Sequence, residues 1–347
     1  MTIINNINIS GPINIVRLEG KIDGINKILY LFFDVHLKET KCKEYDSLDI
    51  VQLFNKFIDE SKNYNNEWDL FIENDINVKE SKKVLDKSYF RGTYINEITN
   101  FFENKFTESV NNLVKRENNI RYHFFDIRFQ INFDIIYNDI NNLIYYNYEK
   151  NVLIDRLNNI YNLMLNDYNY LKGKNNINKN FKNLNVKNII LNLLKVYVED
   201  VKKLLIEFNN IKEDLKKKKY FLIKELNEQG FYEFNNKIQN ILNDFSKRYL
   251  EIYFKITDLY FLRRFLDKNY IKNGIIYSGN YHCLHIILNL VKLFKFRVSH
   301  VSYSSVNLQQ TNSVISKSNN FKDLIKILLP KYLIQCSSMK NFPDMFL

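Results

Sequence analysis

The chain has 347 residues, with 50 Lys and Arg against 39 Asp and Glu, 46% hydrophobic and 15% aromatic residues, eight Gly, three Pro and no Ala. That hydrophobic share suits one elaborated domain or two rather than a disordered chain. The favoured Ile, Asn, Lys, Tyr and Phe have A/T-rich codons, so the net charge of +11 reflects codon usage more than a nucleic-acid footprint, and nucleic acid is not an expected partner.

No run reaches the roughly eighteen apolar residues that a membrane span needs. The opening MTIINNINISGPINI has the features of neither a signal nor a transit peptide. Cys42, Cys283 and Cys336 are an odd set without Cys-x-x-Cys spacing, which argues against a disulfide framework and for a reducing, intracellular setting. Cys42 and Cys283 lie near His36 and His282 in sequence, which leaves an approach of the two in space open, but an inert buried thiol is the favoured reading.

From the N-terminus, INIVRLE and NKILYLFFDV around GKIDG predict a hairpin over 13–36, its second strand apolar on both faces as a central strand should be. LDIVQLFNKFIDE places Ile50, Leu53, Phe54, Phe57 and Ile58 at helical spacing. A short strand follows over Asp69 to Glu73, then an exposed loop NDINVKESKKVLDK, a helix from Tyr94 to Leu113 and a strand RYHFFDIR. This alternation predicts an α/β fold with a mostly parallel, doubly wound sheet.

From Tyr137 to Lys268 apolar residues recur at three and four, which predicts a large all-helical insertion, with Gly173 in a loop between two of its helices. Gly274 to Ser278 returns as a strand, HCLHIILNLVKLFKF as an amphipathic helix and FRVSHVSYSS as a last strand. The expected organisation is 10–136 for the first half of the core, 137–270 for the insertion, and 271–347 for the rest of the core and a tail.

Several of these strands end on a chemically capable residue: His36, Glu73, Asp126 with Arg128, and His282. In a parallel α/β sheet those ends share one rim, where ligands bind. His282 would sit in the first turn of its helix, whose free N–H groups and dipole favour a neutral imidazole, with His285 on the same face. His36, Glu73 and His282 are the residue types that hold a divalent metal with one position left for water. Asp34 and Asp126 are candidates for further ligand, orienting group or general base, and Arg128 for a clamp on substrate or oxyanion. The same residues also fit a plain structural reading, a His capping its own helix beside a Glu73–Arg128 ion pair. His123 and His300 lie inside their strands and read as hydrogen-bonded core residues.

These strings resemble the Tiki/TraB/erythromycin-esterase/ChaN-like superfamily. They comprise Phe33-Asp34-Val35-His36, a strand ending in Glu73, Asp126-x-Arg128, and Gly279-Asn280-Tyr281-His282 before an amphipathic helix. The resemblance covers residues 10 to 130 and 270 to 305. It implies metal or catalytic roles for His36, Glu73 and His282, with Arg128 orienting substrate. Phe33 departs from that pattern, standing where the family has Gly. SGPINIVRLEGKIDGINKILYLFFDVH and RYHFFDIR also look like uncharacterised proteins of nucleocytoplasmic large DNA viruses. Two functions follow as expectations. One is a divergent metal-dependent hydrolase of a peptide or ester bond. The other is a catalytically silent viral scaffold that grips a virion or host protein partner through its helical insertion.

Overall fold

The computed structural model describes residues 7–43, 47–63, 65–75, 92–105, 115–145, 150–173, 175–216 and 228–343. They form two compact units, Met1–Asp126 with Arg264–Leu347, and Ile127–Arg263. In chain order the first unit opens with β1 (Asn8–Ser10), β2 (Asn14–Ile22), β3 (Ile25–Asp34), β4 (Leu48–Asp49), α1 (Ile50–Ser61), β5 (Trp68–Asp75), α2 (Tyr94–Lys105), β6 (Lys115–Glu117) and β7 (Ile120–Asp126). Helices α3 (Phe133–Tyr145), α4 (Lys150–Lys172), α5 (Leu184–Lys216) and α6 (Glu228–Asp267) follow. The chain then closes the first unit with β8 (Asn273–Gly279), α7 (Asn280–Phe294), β9 (Arg297–Val301), α8 (Leu308–Lys317), α9 (Ile325–Leu328) and β10 (Cys336–Ser338).

The main sheet has the order β6-β7-β5-β8-β3-β2-β9. Its centre, β7-β5-β8-β3, is parallel, while β6 is antiparallel to β7, β2 to β3, and β9 to β2. The expected mostly parallel, doubly wound sheet is therefore corrected to a mixed sheet. The cause is local: Asp23 and Gly24 both take positive φ, 47° and 82°, which makes a two-residue turn whose twist matches a hairpin and sends β2 back against β3. A second, three-stranded sheet pairs β1 with β10 antiparallel and with β4 parallel.

Leu29 to Phe33 of β3 are all buried, as a strand between two neighbours should be. Alternation assigns Tyr30, Phe32, Trp68, Leu70, Ile72, Tyr122, Ile275 and Tyr277 to one core, closed by Leu53, Phe54 and Phe57 of α1 and Ile98 and Phe102 of α2. Asp49 starts α1 with a capping box completed by Gln52, which satisfies otherwise orphaned N–H groups. Phe54 meets Tyr277 edge-on at 6.4 Å and Phe57 meets Trp68 at 5.4 Å. The helix foreseen from Tyr94 is described as far as Lys105. The rest of that stretch and most of the foreseen loop, 76–87, lie outside the described residues.

In the second unit α4 packs on α3 and α5. Phe133 stacks on Tyr249 at 5.5 Å, and Tyr249 lies 4.4 Å from Tyr253. Asp167 accepts the Asn132 N–H and side-chain amide at 3.0 and 2.8 Å, and burial pushes its carboxyl up to about 6. Among the described residues no helix is long and apolar enough to cross a membrane.

The cysteines correct the sequence reading. Cys42 pairs with Cys336 across 294 residues, with Cα atoms 5.1 Å apart, and Cys283 is a buried thiol against Ser278 Oγ at 3.3 Å. Spacing along the chain carries no trace of a pairing this distant. Disulfides persist in oxidising surroundings, so the cysteines no longer support a reducing setting.

Candidate functional site

The parallel strands β3, β5 and β8 deliver their carboxyl ends to one place, and four side chains meet there. Asp34 is the last residue of β3 and fully buried. Its Oδ2 accepts the Nδ1–H of His36 in a short hydrogen bond and the His36 backbone N–H at 3.1 Å, while its Oδ1 accepts the Tyr277 hydroxyl at 3.0 Å. His36 reaches back onto this carboxylate because its backbone turns into the left-handed region, φ 51°, an uncommon conformation for a residue with a Cβ. With Nδ1–H given to Asp34, the ring presents Nε2 outward.

Glu73, from β5, takes that edge. Its Oε2 lies 3.6 Å from His36 Nε2 and accepts the Gly279 N–H at 2.7 Å, and its Oε1 lies 3.2 Å from His282 Nε2. His282 is in the first turn of α7, directly after β8, and the Phe125 ring stands edge-on to it at 6.2 Å. The result is a chain of carboxylate, imidazole, carboxylate, imidazole. Its solvent-facing member is His36, whose side chain is 34% exposed against 6% for both Glu73 and His282.

Electrostatics follow from that packing. Burial alone would lower the His36 imidazole, but the Asp34 and Glu73 carboxylates outweigh it and raise it to about 10. Burial alone would raise Glu73, yet His282 and His36 hold its carboxyl well below the usual range. Without a metal the cluster is therefore an ion-paired one, with His36 cationic at neutral pH.

Gly279 is tight by space rather than constrained by φ. A Cβ there would stand 3.0 Å from His36 Nε2 and 3.3 Å from Glu73 Oε2, closer than side chains normally pack. Gly279→Ala is expected to cost roughly 1–3 kcal/mol as local overpacking and to push the His36 and Glu73 side chains apart. Denaturant unfolding of the variant, read beside its His36 NMR shifts, checks both. An unchanged midpoint with unchanged shifts would mean that the two side chains yield at no cost.

The other expected site residues each have surroundings of their own. His285 is buried in α7, its Nε2 against the Asn289 amide at 3.0 Å and its ring edge-on to Phe321. Asp126 closes β7, buried and in register with Asp75. Arg128 belongs to the second unit, on a 3-10 turn with its guanidinium 5.6 Å over the Phe133 ring. The site is accordingly described without Arg128, and Glu73 is bound to two imidazoles and a backbone amide. Sequence reasoning passed over Tyr277 and the steric role of Gly279. Tyr277 had a signal, since alternation along β8 places it on the same face as its strand partner Phe32 and beside Asp34.

A second buried network lies toward the other end of the same strands. Arg121 forks onto both oxygens of Asp69 at 2.8 and 2.6 Å and onto Glu67 at 2.5 Å, and it donates to the Tyr270 carbonyl at 3.1 Å. His123 meets Asp69 through Nε2 at 2.7 Å and Arg264 through Nδ1 at 3.1 Å, and it stacks on Phe71 at 4.8 Å. With Arg264 donating to Nδ1, the ring donates its Nε2–H to Asp69, and burial with the nearby guanidinium groups lowers its pKa. His123 is thus a hydrogen-bonded core residue. His300, on β9, packs against Phe342 at 5.7 Å.

Comparison with known proteins finds viral relatives of this chain. Residues 7–172 and 134–347 match a family described as "Family of unknown function (DUF5847)". "Uncharacterized protein R706" of Acanthamoeba polyphaga mimivirus is 29% identical, over 97% of this chain and 96% of that protein. "Uncharacterized protein R161" and "Uncharacterized protein R160" of the same virus are 28% and 27% identical, over 99% and 98% of this chain and 98% and 97% of theirs. The likeness to giant-virus proteins read from the sequence is therefore present along nearly the whole chain. No solved structure matches it.

Proposed function

We propose, for a chain that belongs to the DUF5847 family of unknown function, that Asp34, His36, Glu73 and His282 form the working centre of a divergent metal-dependent hydrolase of a peptide or ester bond. The observation that carries this reading is the placement of one buried carboxylate between two Nε2 atoms, 3.2 and 3.6 Å away, where parallel strands end.

Among the described residues no group of three or more His, Cys, Asp and Glu side chains is disposed to hold a metal ion as it stands. The donor chemistry nonetheless fits one. Two donors about 2.1 Å from a tetrahedral ion are roughly 3.4 Å apart, close to the separations on either side of Glu73. Asp34 on His36 Nδ1 is the outer-shell carboxylate that orients a ligating imidazole and leaves its Nε2 for the ion. His36 and His282 through Nε2, with Glu73, would hold the metal. Bound there, it would supply a water acidified for attack and a Lewis acid for the substrate carbonyl.

The chain's own residues do the rest. Asp34 and Tyr277 fix the His36 ring, the Gly279 N–H holds one Glu73 oxygen, and the exposed His36 edge is where substrate approaches. The likeness of Gly279-x-x-His282 to the Gly-x-x-His motif of the Tiki/TraB/erythromycin-esterase/ChaN-like superfamily supports the same reading, while Phe33-x-x-His36 departs from that motif by Phe in place of Gly.

The test is metal content of protein purified without chelators, beside the His36→Ala/His282→Ala variant. Near-stoichiometric metal that disappears from a still-folded variant is the expected result. A metal-free native protein that also declines added zinc, manganese and cobalt would overturn the reading in favour of a silent scaffold. For that second reading the favouring observation is the exposure of Leu184, Val196 and Ile206 on α5, between 55% and 68%, in the helical unit.

A further inference from the structure

We propose that Gln335 and the Cys42–Cys336 disulfide are positioning residues for His36, and that reduction of this disulfide switches the site off. The inference rests on reading His36, Glu73 and His282 as the working centre and adds its control.

His36 opens an outer loop. Residues 37 to 41 are exposed, and the His36 backbone holds a positive φ that its own sequence does not favour. Asp34 holds the turn itself through the His36 N–H and Nδ1–H, and the loop beyond it is tied to the segment entering β10. Gln335 is buried, whereas residues 331 to 334 before it are exposed. Its Oε1 accepts the Thr40 N–H at 2.8 Å and the Thr40 hydroxyl at 3.0 Å, and its Nε2 donates to the Leu37 carbonyl at 3.4 Å. Its own carbonyl accepts the Gly11 N–H at 3.0 Å, which ties it to the sheet side of the loop.

The next residue, Cys336, closes the disulfide to Cys42 at the far end of the loop, and the Cys42 N–H is held by Ser10 Oγ at 3.0 Å. Residues 37 to 42 are thus clasped at both ends by two consecutive residues of one strand entry. The inner side of the loop is held by Tyr94 on the Thr40 carbonyl at 3.1 Å and by Glu39 N–H on the Gly92 carbonyl at 2.9 Å.

Cys42 and Cys336 are each only partly buried, and the test reagent is a small dithiol. In the exchange, two electrons and two protons pass from the dithiol to the strap. The Cys42–Cys336 bond breaks to two thiols as a new disulfide forms within the dithiol. The loop is then held by hydrogen bonds alone, those of Gln335 together with those of Asp34, Tyr94, Gly92 and Ser10, without the covalent tie at its far end.

The experiment uses the full chain in four forms: oxidised, reduced with dithiothreitol and desalted anaerobically, Cys42→Ser/Cys336→Ser, and Gln335→Met with the disulfide intact. Hydrogen exchange of the amides over 36–42 is read beside that of β8, and Co2+ affinity is read from its visible spectrum. The reduced and serine forms are expected to exchange on the order of tenfold faster over 36–42, with β8 unchanged. They are also expected to bind Co2+ about 10–100-fold more weakly, with recovery when diamide re-oxidises the reduced form. In a His36→Ala background reduction should make no further difference to Co2+ binding, which a purely structural disulfide would not predict.

Equal exchange and equal Co2+ affinity in the oxidised and reduced forms would overturn the proposal. If the oxidised protein binds no Co2+, the metal reading fails separately and exchange over 36–42 alone decides the strap. If the serine variant does not fold, Gln335→Met decides: loop exchange and Co2+ affinity like the native protein's would count against the strap.

Discussion

Arg121→Ala is expected to destabilise the protein by about 3–5 kcal/mol, more than Gly279→Ala does. The reason is what it leaves behind. Asp69 is fully buried and its carboxyl is held below the usual range: burial raises it, but the Arg121 fork and His123 outweigh burial. Removing the guanidinium strands that charge between β5 and β7. His123 can offer Asp69 one N–H, and Lys27, whose ammonium donates to the carbonyls of Phe265, Lys268 and Ile271, acts on it only through its charge. Adding Asp69→Asn should recover part of the loss, since the stranded charge goes with it. Denaturant unfolding of both variants checks this, and an Arg121→Ala cost under about 1 kcal/mol would mean that Asp69 is protonated or reached by water.

Glu73→Gln is expected to change how stability depends on pH, with no metal present. In the native protein His36 titrates near 10 against an unfolded value of 6.5. A folded pKa above the unfolded one gives a contribution that is complete below pH 6.5 and is lost as pH rises through about 10. Lys27 acts with the opposite sign in the same window. Burial pulls its ammonium down to about 8 from 10.5, so its penalty fades as pH rises. The raw curve therefore mixes the two, and the difference between native protein and Glu73→Gln isolates the share of Glu73, since Asp34 still holds His36 in the variant. That difference should shrink as pH rises toward 10 in chelator-stripped samples. A constant difference, with His36 titrating near 6.5 by NMR, would show that the imidazole is not held as a cation.

How much of this was legible in the sequence depends on the distance over which each feature is encoded. The capping and spacing of α1, the apolar run of β3, the Asp23-Gly24 turn and the strand endings at or within two residues of Asp34, Glu73 and Gly279 are local, and periodicity and turn chemistry expose them. The mixed sheet was less legible. A hairpin is visible in 13–36, but nothing local says that β2 stays in the main sheet and pairs on its other side with β9, some 280 residues on.

The site divides in the same way. Asp34 two residues before His36 is a short-range pattern, whereas Arg128 one turn past β7 read as a rim residue and proved to begin the helical unit. Asp69, Arg121 and His123 did leave a signal that was undervalued: three polar residues at alternate positions of otherwise apolar strands require partners among themselves. The cysteine pairing left none.

Strand order also sets a timetable for the nascent chain. β8 lies between β3 and β5, yet it is synthesised about 200 residues after β5, once the whole helical unit has been made. At about 5–20 residues per second the two earlier strands wait roughly 10–40 s with no neighbour to join them. During that interval each presents an open apolar edge, and His36 and Glu73 have no third partner. A ribosome that stalls within the helical unit would therefore release a chain with both edges bare, prone to aggregate and without the assembled cluster.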